Sequence, residues 1–543
     1  MTTLYRHTVR GGLVSGLAAL FIVLFAVNSH AVISGITSGT PGTPDAANFN
    51  LTAKSAHIDT ADGNSVYMWG YSDNNGSGTM QYPGPTIIVD EGDTVTITLT
   101  NSLTRVDQSN PGSDLPMNEP ISIIFPGQEG VTATGGDQDG VLTREALQGG
   151  TVTYTFTATR PGTFIYQSGS HMDLQVEMGL FGALIVRPTM GADHAYNHAD
   201  TVFTHEYLFV LSEVDFLIHE LVEQGRMSEV DNTTAFPVYW FVNGRVAPDT
   251  LFGDNYGLLP FQPYGSLVRT HPGERVLMRV VGAGRDFHPF HHHGNSATII
   301  AKDSRLLTTG TDKSASSPDL GHLGFTIASA PGQTADAIFV WTGQELGWDF
   351  YGHTMNTPPT DPTKPWSEFF ATTTLGAGIA PGDTSLTVAA TDGARFPHTH
   401  PFRAIIWEST LTTPESATNR EVVTMTWDRG TPGGDTFLIK RAREGSSALT
   451  HVSGANIAMT DHGKAFPVTL PNLLDLTFGG FYSGSPFLGV EGPLPVGEGG
   501  LNPSFGFFFM WHSHTEKELT NFDIFPGGML TQLIIEHPSI PIP

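Results

Sequence analysis

The chain has 543 residues, 39% hydrophobic and 15% charged, enough apolar material for real cores and against wholesale disorder. Its 62 glycines and 37 prolines favour turn-rich β structure over helical bundles. A net charge of -27 argues against a nucleic-acid partner, and zero cysteines exclude disulfides, zinc–thiolate, iron–sulfur and copper–thiolate centres together.

In chain order, Arg6 and Arg10 precede an apolar run, Leu13 to Val27, and Ser29-His30-Ala31 offers a small-x-small cleavage site. Residues 1–31 therefore read as a signal peptide, and the mature chain is expected in the periplasm or outside the cell. The run is about 15 residues, short of the roughly 20 that a membrane span needs. The alternative is an uncleaved anchor; no later segment reads as transmembrane. Pro83-Gly84-Pro85 is a turn before an apolar strand, Thr86 to Val89. Gly92-Asp93 turns into a strand in which Val95, Ile97 and Leu99 alternate with threonines. Val152, Tyr154 and Phe156 repeat the pattern, and Leu180 to Val186 closes the unit at 32–195. This is the pattern of a sandwich strand with one buried face.

A second unit, 196–371 resuming at 462–543, holds one helical pattern over Val214, Leu217, Ile218, Leu221 and Val222. Its strands are expected at Val276 to Val281, Ala337 to Trp341, Phe507 to Trp511 and Leu530 to Ile535. Between its halves, residues 372–461 change texture, with a strand over Asp383 to Ala390 and a hairpin of Glu421 to Trp427 with Asp435 to Arg441. The simplest organisation is an inserted small β domain on a surface loop. Around Arg443-Glu444-Gly445 and Ala448 to Ala455 it loosely resembles a β module of phage-tail-like and surface proteins.

Two stretches carry the chemistry: His288-Pro289-Phe290-His291-His292-His293-Gly294 and Trp511-His512-Ser513-His514. Side chains alternate faces along a strand, so His291 and His293 share one face, as do His512 and His514. Two such pairs on neighbouring strands would gather four imidazoles, a donor set for copper or zinc. His398 and His400 form a third His-x-His, beside Pro397 and Pro401 in the insert, where ligation is not expected.

With these motifs the chain resembles the multicopper oxidase family of cupredoxin domains. Matching pieces are Pro83-Gly84-Pro85-Thr86, Gly162-Thr163-Phe164-Ile165-Tyr166, Gly179 to Val186, His288 to Gly294, Phe509 to His514 and Pro526-Gly527-Gly528-Met529. The resemblance implies an all-β chain of two cupredoxin-like Greek-key β-sandwich domains, and copper as the cofactor. It also implies departures. In the family's first His-x-His motif, Ile124 and Pro126 take the ligand positions, and near the second only His171 offers an imidazole, out of register. At the mononuclear blue-copper centre the family positions fall on His288, Ser513, Glu518, and Asp523 or Met529. Ser513 cannot replace a thiolate, and Glu518 stands where a second imidazole belongs.

The expected metal residues are His291, His293, His512 and His514, with His288 and His171 as further candidates, holding fewer copper ions than a complete multicopper oxidase. The leading reading is an exported copper-binding protein, an oxidoreductase of altered mechanism. The competing one is a non-catalytic cupredoxin scaffold at a cell surface or in an extracellular assembly. An oligomer is left open: two-domain relatives share a copper cluster between subunits, and the first-domain half of that cluster is missing here.

Overall fold

Threonine-rich alternation becomes a sheet face directly. In the strand Thr94–Asn101, Val95, Ile97 and Leu99 are fully buried while the intervening threonines are not. The strand Thr151–Thr157 repeats this beside it, pairing Tyr154 with Ile97. In the computed structural model these two lie in a five-stranded sheet with Ala46–Asp59, Ser65–Asp73 and Thr132–Gly135. A four-stranded sheet containing Gly84–Asp90, Gly162–Gln167 and Phe181–Arg187 closes over it, around a core that includes Trp69, Phe125 and Tyr154. The structure describes residues 33–74, 78–110, 112–271, 273–310, 317–341, 372–396, 401–408, 418–428, 434–443, 445–461 and 507–536, with the short pieces 464–465, 487–488, 492–493, 501–502 and 541–542. The expected signal segment, His398 and His400 lie outside the described residues.

A second sandwich follows. One sheet carries Tyr239–Val242, His205–Val214, Arg275–Gly282, Thr334–Val340 and Ala297–Lys302. The facing sheet runs Val268–Thr270, Leu530–Ile535, Phe507–Ser513, His288–His292 and Thr326–Ser329. Trp511, Phe290, Phe339 and Met529 are buried between the two. Both sandwiches mix parallel and antiparallel pairs, for example Ala46–Asp59 parallel to Thr94–Asn101 and Val268–Thr270 parallel to Leu530–Ile535. The chain is thus all-β, as the alternation predicts, in cupredoxin-like sandwiches.

The sandwiches meet through a mixed apolar cluster, with Ile58, Met68, Tyr82 and Phe181 against Val210, Val214 and Phe241. A buried charge cluster joins them too. Arg187 of the first sandwich and Arg279 of the second both grip Glu206, and Arg279 also faces Asp336 at 3.7 Å. Residues from 372 build their own sheet, ordered Thr372–Thr374, Asn456–Asp461, Phe402–Trp407, Glu421–Trp427, Thr436–Arg443 and Ser385–Thr387. That sheet has its own core, including Phe396, Phe402, Val423 and Phe437. The Glu421–Trp427 hairpin forms antiparallel as expected. The expected strand over Asp383 to Ala390 shortens to Ser385–Thr387.

The helix also differs in detail. Asp215 caps it by accepting a hydrogen bond from the Leu217 amide at 3.0 Å, so the helix is Phe216–Glu223 and Val214 remains the last strand residue. Leu217 points to solvent at 60% exposure, and His219 takes a buried place beside Ile218 and Val222. The cap sets the phase of the helix, and apolar spacing alone could not place it.

Candidate metal centre

The strand His288–His292 pairs antiparallel with Phe507–Ser513, in a register that sets His291 opposite His512 and Phe290 opposite Ser513. Alternation does the rest. Phe290, His292, Trp511 and Ser513 turn inward, and His291, His512 and His514 turn to the outer face with His293. The rings of His291 and His293 lie 4.7 Å apart between centroids, His293 and His512 5.1 Å, and His291 and His514 4.8 Å. Among the described residues, the ligand-type nitrogens of His291, His293 and His512 gather within 4.8 Å of one another. His514 sits at the rim, with its side chain 55% exposed.

The tautomer of His512 favours donation to a metal. His512 gives its Nδ1–H to the carbonyl oxygen of Ser513 at 2.6 Å, leaving Nε2 with a lone pair. That Nε2 faces the Nε2 of His293 at 3.2 Å. Two nitrogens bound tetrahedrally at ~2.0–2.1 Å from one ion stand about 3.3–3.4 Å apart. His291 meets the Thr326 hydroxyl through Nδ1 at 3.0 Å. Burial, then the neighbouring imidazoles, hold the pKa of His293 down to about 4. The same causes lower His291, and burial lowers His512. The three rings are therefore neutral at pH 7, the form that binds metal. The donor set fits an imidazole-seeking transition metal.

His292, between them in sequence, belongs to the core. It packs on Trp511 and Phe339 and accepts the Ala297 amide hydrogen at Nε2.

His171 and His288 lie outside that group of three. His171 is held by Glu119, Nδ1 to Oε1 at 2.7 Å, and its backbone is left-handed with φ 37. Ile124 bridges to Gln167. Around these positions Ser122 meets Ser170 at 2.9 Å, and Ser170 donates to Glu145 at 2.5 Å. His288 is fully buried and turned inward, its Nδ1 3.0 Å from Glu518 and its Nε2 2.8 Å from Glu213. Ser513 donates to the same Glu518 oxygen at 2.5 Å. Neither Glu213 nor Glu119 carries a motif. The one signal for Glu213 is a carboxylate in an otherwise buried strand run, Leu208 to Val214.

The profile of the multicopper oxidase family matches residues 116–191. L-ascorbate oxidase of Cucurbita pepo var. melopepo is 32% identical over 30% of this chain and 26% of its own length. The copper-containing nitrite reductase of Neorhizobium galegae is 26% identical over 57% of this chain and 72% of its own. These matches support a divergent relative of the multicopper oxidase family, with the family's domain at 116–191. The chain's match spans about a quarter of the length of that ascorbate oxidase. The blue copper oxidase of Nitrosomonas europaea is a structural neighbour at TM-score 0.40, with 22% identity over 55% of this chain and 77% of that one. Copper is the metal the family implies, and the multicopper oxidase pattern divides here. The outer histidine group has a donor set that suits copper, whereas the buried group of His288, Ser513 and Glu518, with a hydroxyl and a carboxylate beside one imidazole, does not.

Proposed function

We propose that the protein is an exported, copper-binding member of the family that holds a single transition-metal ion on His291, His293 and His512. His514 stands at the rim as an exchangeable fourth donor, and the protein works as an oxidoreductase of altered mechanism. The observation that carries this is the convergence of three neutral imidazoles within 4.8 Å on one sheet face. Copper held there would supply one-electron redox chemistry. The chain's own part is to keep the rings unprotonated by burial and to aim Nε2 of His512 by its bond to the Ser513 carbonyl. The exposed rim at His514 leaves an approach for a small substrate.

A non-catalytic scaffold at a cell surface is the second reading. It is favoured by the buried Glu213–His288–Glu518 cluster at the position where the family takes in electrons. Elemental analysis of the natively purified full chain, followed by oxidase assays with and without added copper, separates the two. About one copper per chain with copper-dependent turnover supports the enzyme. One copper without turnover supports the scaffold, and no bound metal defeats the metal reading altogether.

We also place the units at 32–195, 196–371 with 462–543, and 372–461, and the mature protein in the periplasm or outside the cell. Among the described residues no helix is long and apolar enough to cross a membrane.

A further inference from the structure

We infer that the position answering to the family's mononuclear copper centre is a clamp held by a proton: His288, carrying hydrogens on both ring nitrogens, ties Glu213 to Glu518 across the second sandwich, and no metal enters there. The geometry carries the inference. Nδ1 of His288 is 3.0 Å from Oε2 of Glu518 and Nε2 is 2.8 Å from Oε2 of Glu213, each within hydrogen-bonding angle. An imidazole nitrogen binds a metal along the same direction in which it bonds a hydrogen, and on both sides a carboxylate oxygen already occupies it. The two carboxylates lie on opposite edges of the ring, so they cannot converge on one ion.

Further hydrogen bonds hold both carboxylates. The Ser513 hydroxyl donates to Glu518 Oε2 at 2.5 Å, and Glu213 Oε1 takes the backbone amides of Arg285 and Asp286, the latter at 3.1 Å. All four side chains are buried.

The clamp joins three strands, from both sheets, and a short helix. Glu213 stands next to the end of the strand His205–Val214 in one sheet, while His288 and Ser513 belong to paired strands of the other. Glu518 comes from the short helix Glu516–Leu519 that follows. Other charged groups near it are Glu177, which repels Glu213, and Arg285, which pairs with Glu177 at 2.7 Å. One imidazolium between two carboxylates supplies the attraction that an ion would supply, and does so without a thiolate. The two flanking carboxylates raise His288 to about 9 against the opposing effect of burial. A folded pKa above the unfolded value means stabilisation that is complete below about pH 6.5 and lost as pH rises through about 9.

The test uses the full chain labelled with 15N-histidine. Between about pH 6 and 8, both ring nitrogens of His288 should resonate as protonated. Saturating zinc, a diamagnetic probe, should shift His291, His293 and His512 and leave His288 in place. A neutral His288 ring in that range, or one that moves with zinc, overturns the inference. Glu518→Gln, which keeps the shape and removes the charge, should lower the urea midpoint at pH 7 and narrow its fall between about pH 7 and 10. Its bound copper per chain should equal that of the parent. Loss of a copper equivalent in Glu518→Gln, with the fold intact by circular dichroism, would place a metal in this pocket and sink the clamp. These readouts stand whether or not the outer histidine group proves catalytic.

Discussion

Single side chains decide whether the outer histidine group is a metal site. His512→Ala removes one of three converging donors, and metal affinity should fall by more than the ~10–100-fold typical of losing an outer-shell partner. His514→Ala should cost less, because that ring is half-exposed and at the rim. Isothermal titration with copper orders the two; equal losses would put His514 among the primary donors. The pH profile follows from burial. Free imidazoles lose metal as pH falls through about 6.5. Here His293 is held down to about 4 and its neighbours are lowered too, so retention should persist well below pH 6.5. The same shifts carry a stability cost: below about pH 6.5 the unfolded chain takes up protons that the folded rings refuse, so stability falls with pH over that window. Metal content after dialysis at stepped pH checks the first point, and denaturant midpoints check the second.

At the scale of elements, one strand serves two masters. Phe507–Ser513 sends Trp511 into the core and His512 and His514 outward, and it is paired on both sides, by His288–His292 and by Leu530–Ile535. Trp511 is fully buried against Phe209, Phe339 and His292, and its indole N–H reaches the His293 carbonyl at 3.0 Å. Trp511→Ala should therefore cost about 3–5 kcal/mol of folding stability and loosen the strand register that gathers the histidines. Urea unfolding checks the first part, and metal titration of the folded fraction the second. A loss below about 1 kcal/mol would mean that the site is carried by the neighbouring strands.

At the scale of the whole molecule, the unit at 372–461 should be separable. Its first strand pairs with its last, Thr372 opposite Ala458, so its two ends leave side by side. A short Gly/Ser linker in its place should then leave both sandwiches folded, with the thermal transition of the remainder within a few degrees of the parent. A collapse of that transition would show a shared core. The junction of the two sandwiches is the opposite case. Glu206 holds Arg187 and Arg279 in a buried triad, and Glu206→Gln leaves the buried Arg187 without its carboxylate and Arg279 with Asp336 alone. A loss of about 3–5 kcal/mol is expected from the unfolding midpoint.

Strand positions were legible in the residues because alternation is a local property. The strands around Val95, Tyr154 and Val280 formed within a residue or two of expectation. The facing of the histidines was legible for the same reason: with a period of two, His291 shares a face with His293 and not with His288. The missing thiolate and the altered first motif needed no coordinates either. Other features depend on residues far apart in the chain. That His291 lies opposite His512 is a matter of register between strands more than 200 residues apart. The phase of the Phe216–Glu223 helix followed from its cap. The partner of His288 was hidden most completely: Glu213 stands 75 residues away, on the other sheet, with no motif around it. Which side chains share a face is set by the geometry of one strand. Which buried charge meets which is set only when two sheets close on each other and every ion must find a partner away from water.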